Sequence, residues 1–229
     1  MPLLNQYIAN LADADIQSVV STISEERLST YLHCTQSNRE ALQLYALNTD
    51  FSKHVFELIG GFEISLRNAV STSIAEHYGR GDWYRARRFT KVLTPERRTN
   101  IRDVRRRLTA SNREERSGRI VAGLTFHFWV SMHEKRYRDV IWTPHLHRVW
   151  LKGENLKHVQ KDLFKIRDLR NRIAHFEPIF DEPWRDRINI VWTRFDQIAP
   201  VKSAWYRHRM HSKIEELRRE CEGVRFVSG

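Results

Sequence analysis

Residues 154–175 read ENLKHVQKDLFKIRDLRNRIAH. Leu156, Val159, Leu163, Ile166, position 170 and Ile173 recur at intervals of 3, 4, 3, 4 and 3, an apolar seam of helical period. Pro178 stops the helix soon after His175, because the residue before a proline is driven out of the helical region. Position 170 of that seam is Arg170. A cation on a packing seam is costly unless it is paired or lies in a polar cleft, and such a break in pattern marks a candidate functional residue. Asn171 and His175 are four apart and share a helix face. Arg170 lies next to that face with a long side chain, so the three are expected to converge near the helix end. The plainer alternative is that Arg170 pairs with a core carboxylate and His175 only caps the helix.

Working outward, nearly every other segment also has helical period, and none alternates with period 2 long enough to make a sheet. Residues 16–32 carry a weak apolar face. Ser37 with Glu40 three residues on has a capping-box pattern, and opens a long helical stretch from Arg39 to His77, expected to break near Asn48–Asp50 and to end at Gly79 and Gly81. A basic loop is expected after Trp83–Tyr84. Thr94-Pro95-Glu96 opens another helix, running to about Thr109. Gly118–Glu134 reads as one buried apolar helix. Pro183–Ile198 and Pro200–Glu222 read as two further helices. The expectation is an all-α chain, taken as a single domain over residues 1–229.

A hydrophobic fraction of 41% with 11% aromatics fits a globular protein rather than a disordered one. The longest apolar run, Ile120–Met132, is too short to span a bilayer, which needs about 20 residues, so no membrane association is expected. Cys34 and Cys221 form no CxxC pair, and residues 1–14 carry no secretory pattern, which together read as a cytoplasmic chain with two free thiols. The net charge of +11 and pI of about 10.0 favour a polyanionic partner: RNA, DNA or an anionic membrane surface.

That charge is densest between Arg85 and Arg119. Arg102, Arg105, Arg106 and Arg107 share one helix and are candidate phosphate contacts, since guanidinium forks match phosphate geometry. Trp83, Tyr84 and Phe89 beside them could stack on unpaired bases, or else belong to the core. Glu63 and Arg67 lie one helical turn apart. They read either as an ordinary ion pair, or as Glu63 reaching a catalytic cleft beside an RNA-contacting Arg67. Asn68 is a weaker candidate. His127, His133, His145, His147 and His158 invite a zinc reading, but no cysteine or carboxylate stands at ligand spacing; no metal or other cofactor is expected. There is no P-loop, GxGxxG or GxSxG.

Arg170-Asn171-Arg172-Ile173-Ala174-His175 resembles the R-x4-6-H signature of HEPN domains, with the polar residue directly after the arginine. Phe62-Glu63-Ile64-Ser65-Leu66-Arg67-Asn68, then Tyr78-Gly79 and Trp83-Tyr84, are similar to the first block of the Abi-like (abortive infection) family within that group. Leu124–Val130 resembles its central block, and Leu169–Phe176 its third. The blocks occur in family order over about residues 56–180. His127 stands where a small residue is expected. The resemblance implies a HEPN-like helical bundle with additional helices. It further implies a metal-independent endoribonuclease whose cleft forms at a homodimer interface, acting in phage defence or as a toxin with an antitoxin or a phage trigger. Within it Arg170, Asn171 and His175, with Glu63, are the candidate catalytic residues. The rival is a non-catalytic RNA-binding or antitoxin-partner module that keeps the fold and the basic surface.

Overall fold

The structure, a computed structural model, describes residues 7–181 and 183–226, and these contain helices and no strands. The central element is α3, Asn38–Tyr78. Its start is fixed as the sequence suggests: the Ser37 hydroxyl accepts from the Glu40 amide at 3.2 Å, while the Glu40 carboxylate accepts from the Gln36 amide at 2.8 Å. The expected break at Asn48–Asp50 is absent. Asn48 is buried, and its side chain donates to the Tyr31 hydroxyl at 3.0 Å and accepts from the Ile179 amide at 2.8 Å. An asparagine breaks helices by bonding its own backbone. Here its amide is committed to other segments, and the helix continues.

The short helices α1 (Asp13–Ile23) and α2 (Glu25–Leu32) come before α3. After it, the expected basic loop is instead a 3-10 turn over Trp83–Arg85 followed by α4, Arg87–Val92. The helix at Pro95 is α5, Pro95–Ala110, with the Thr94 hydroxyl accepting from the Arg97 amide. The apolar run predicted as one helix is two, α6 (Ser117–Gly123) and α7 (Phe126–Ser131). Leu124 is extended, and the Thr125 hydroxyl caps α7 at the Phe128 amide. Gly123 marks the junction because a Cβ there would lie 2.6 Å from a methyl of Val104 on α5.

The seam helix is α8, Leu156–Ala174, followed by α9, Trp184–Ile198. The last predicted helix contains a π turn. It runs as α10 (Pro200–Tyr206), the turn Arg207–His211, and α11 (Ser212–Phe226). No helix among the described residues is long and apolar enough to cross a membrane.

The chain divides into two compact units. One draws on Met1–Ile59, Leu169–Asn189 and Ala204–Gly229; the other on Gly60–Asp168 and Ile190–Ser203. In the first, Tyr31 is fully buried, with its ring 5.3 Å from Tyr45 and 5.6 Å from Phe180. In the second, Phe62 meets Phe126 and Phe195 edge-on, and Trp83 meets Phe89 and Trp129. Trp83, Tyr84 and Phe89 are therefore core residues, not a stacking surface. Aromatic area of that size is worth more inside than beside solvent.

Candidate functional site

The α8 seam is buried at Leu156, Val159, Leu163, Ile166 and Ile173, but its fifth position is Leu169, not 170. The packing row steps 3, 3 and 4 from Leu163, so Arg170 sits at the edge, half buried. Its guanidinium lies over the half-exposed Phe56 ring at 5.7 Å. Its Nε is buried with no hydrogen-bond partner. Among the described residues no carboxylate pairs with Arg170, so the plainer alternative of a core ion pair is not what is found.

Asn171 and His175 are both exposed. His175 directly follows the last residue of α8, and its amide donates to the Asn171 carbonyl at 3.0 Å. The helix then closes through a Schellman motif: Phe176 N–H donates to Ile173 O at 3.0 Å, and Glu177 N–H to Arg172 O at 3.1 Å. That motif needs a left-handed residue at its turn, and the residue there is Phe176, with φ 58°. Glycine usually fills this position, because any other side chain is strained by about 1–2 kcal/mol. Phe176 is also 67% exposed.

His175 and Phe176 line a cavity of about 520 Å³ together with Ser24, Arg27, Arg172 and Glu177. Arg27 Nη1 donates to the His175 carbonyl at 3.4 Å. Arg172 is held on three sides: Nε donates to Pro178 O at 2.6 Å, Nη1 pairs with Glu177 at 3.0 Å, and the guanidinium lies 4.6 Å over Trp184. Ser24, which caps α2 at the Arg27 amide, has φ 82°. Among the described residues three non-glycine residues have positive φ, and two of them, Ser24 and Phe176, border the cavity that holds His175. Backbone strain gathers at sites whose geometry function requires.

The expected convergence of Arg170 with His175 is not found within the chain. Five residues apart on a helix, they point about 140° apart, and Arg170 goes to Phe56 while His175 goes to the Arg27 cavity. Arg27 is the cation that sequence reading missed. It is 148 residues from His175, and nothing in its local pattern signals the meeting. Beside this cavity, Phe56 and Phe176 line an apolar groove with Lys53 and Ile173.

The other candidates belong to the second unit. Glu63 and Arg67 are both half buried on α3, and Arg67 Nε has no hydrogen-bond partner. On α5, Arg102 and Arg107 are exposed. Arg105 pairs with Glu115 at 3.0 Å and Arg106 with Asp103 at 3.2 Å. Glu115 also holds Arg85, so part of the basic surface is neutralised internally. Three of the five histidines weighed for zinc are engaged separately. His127 Nε2 accepts from Arg97 at 2.8 Å, His133 from the Trp150 indole, and His147 bonds the Trp142 carbonyl. Among the described residues, no group of three or more His, Cys, Asp or Glu is placed to hold a metal ion.

Comparison with known proteins gives no match: no family model, no curated protein and no solved structure.

Proposed function

We propose that the chain is a metal-independent endoribonuclease of the HEPN type, acting in abortive infection or as a toxin, with His175 as its proton-transfer residue. The observation that carries this reading is the His175 cavity. An exposed imidazole stands among arginines on a helix end, with two strained backbone positions at its rim.

The reaction is attack of an RNA 2′-OH on the adjacent phosphate. It requires a proton acceptor, a proton donor and stabilisation of charge on the phosphoryl oxygens. Histidine suits the first two, because its ordinary pKa lies near neutrality. The third falls to guanidinium groups. Arg170 is not spent on a carboxylate, and Arg27 already stands beside His175. Arginine is always charged and presents a planar fork, so lysine is a poor replacement. Asn171, exposed one turn before His175, orients the imidazole or the phosphate. Because Arg170 and His175 diverge within one chain, the complete cleft is assigned to a homodimer, in which one chain's arginine serves its partner's histidine. Phe176 and Phe56 offer ring faces to a base flanking the scissile phosphate. The exposed Arg102 and Arg107, with Arg67, Arg105 and Arg106, bind the RNA backbone.

This reading predicts products ending in a 2′,3′-cyclic phosphate and a 5′-OH. An oligonucleotide with a single ribonucleotide among deoxynucleotides should be cut only after that ribonucleotide, and Arg27→Ala should slow the cut at least tenfold. Cutting at deoxynucleotide positions would reject the 2′-OH mechanism. Equal rates for Arg27→Ala and wild type would remove Arg27 from the site. The second reading, a binding module without chemistry, is favoured by the basic α5 surface alone, and predicts RNA binding with no cleavage.

A further inference from the structure

A second cavity, of about 600 Å³, opens in the unit that does not contain His175, and its lining includes His145, Lys202 and Arg148. We propose that it binds a small phosphate ester of nucleotide size.

His145 is the reason to look there. The residue is 3% exposed, yet neither ring nitrogen has a hydrogen-bond partner. A neutral imidazole presents one donor and one acceptor, and buried polar atoms are nearly always satisfied. The ring is nevertheless fixed. It stacks on His77 with centroids 4.2 Å apart and planes 17° apart, and meets Tyr78 edge-on at 6.1 Å. The His145 carbonyl accepts from Ser73 at 3.2 Å. A rigidly placed donor and acceptor with nothing to bond is the arrangement of a site awaiting a polar ligand.

Charge decides the class of ligand. Lys202 and Arg148 outnumber the single carboxylate of the lining, Glu76, so the balance favours an anion. Lys202 is held in place, donating to the Gly61 carbonyl at 3.1 Å and the Ser65 hydroxyl at 3.2 Å. Burial, and then the charge of Arg67, press its pKa below the ordinary lysine value, a tension that a bound anion relieves. The Asn68 amide on the same lining adds a neutral hydrogen-bonding group. Size and texture point to an ester rather than bare phosphate. The volume lies in the range of small-molecule sites, roughly 300–1,000 Å³, and Pro144 and Ile198 provide apolar wall for an organic moiety. The inference is independent of the ribonuclease reading, since no residue of this lining is among those assigned to RNA cleavage or RNA binding.

The test is isothermal titration of the full chain at physiological salt with adenosine 5′-monophosphate, adenosine and inorganic phosphate. Saturable binding of the monophosphate is expected, at least tenfold tighter than either fragment. His145→Phe keeps the flat ring and removes both nitrogens, and should weaken binding at least tenfold. The exposed Arg148→Ala should do the same, and remains informative if the buried variant fails to fold. The proposal is overturned by absence of saturable binding, by either fragment matching the monophosphate, or by a folded Arg148→Ala that binds like wild type.

Discussion

Phe176 carries the most at the scale of single residues. Its left-handed backbone completes the turn that ends α8 and sets His175 at the cavity, while its ring remains 67% exposed. Burial therefore repays little of the strain. Phe176→Gly is predicted to raise stability by about 1 kcal/mol, the usual gain when glycine takes a left-handed position, and to lower cleavage of single-stranded RNA if the ring stacks on a base. Urea denaturation reads the first effect. A loss of stability would show that Phe176 packs in solution against something that its exposure does not reveal. The arginine motif was visible in sequence at Arg170, Asn171 and His175. Arg27 was not, since a contact across 148 residues leaves no trace in local spacing.

Elements were legible where local chemistry decides them. Ser37 and Thr94 cap their helices as read, because a hydroxyl beside the first free amides is a local matter. The misses arise where tertiary contacts override local preference. Asn48 stays helical because Tyr31 and Ile179 take its amide, and the apolar run splits at the extended Leu124, just after a position where a Cβ would clash with Val104. The join of α8 to α9 in the second unit shows the same dependence on distant partners. Arg194, 4% exposed, pairs with Asp162 at 2.6 Å and with Glu154 at 2.8 Å, and donates to Gln197 at 2.7 Å. Arg194 is buried while both carboxylates remain partly exposed, so its removal costs toward the lower end of the roughly 3–5 kcal/mol of a fully buried pair. Arg194→Ala is thus predicted to lower stability by about 3 kcal/mol or more, and Asp162→Asn by less, since Glu154 remains. Thermal and urea melts of both variants check this order; equal, small losses would mean that the cluster is solvated.

Across the whole molecule, the all-helical class followed from periodicity, and the histidines set a pH limit on stability. His133 is fully buried, with Nε2 accepting from the Trp150 indole at 3.2 Å and Nδ1 donating to the Trp129 carbonyl at 3.2 Å. The indole can only donate, so the neutral ring fits and the cation does not. Burial depresses its pKa to about 4. The unfolded chain takes up this proton near pH 6.5 and the folded chain only near pH 4, so stability is retained above pH 6.5 and falls as pH drops through that window. For His133 alone the loss approaches about 3 kcal/mol. His145, also pushed down to about 4, chiefly by burial, adds in the same direction. Unfolding free energies measured at pH 7 and pH 5 should differ by about 2 kcal/mol for His133, and His133→Gln should remove that share and leave the His145 share. Net charge acts on partners rather than on fold. A charge of +11 favours polyanionic partners, although Glu115 and Asp103 neutralise part of the α5 surface.

The central claim is that His175 and Arg170 cleave RNA without a metal. The most direct measurement is cleavage of total tRNA and of an unstructured RNA in EDTA by wild type, Arg170→Ala and His175→Ala. The account predicts cutting by wild type, with each variant reduced at least a hundredfold, the scale on which general acid–base groups act. Folded wild-type protein that binds RNA and leaves it intact, or variants that cut as fast as wild type, would contradict it.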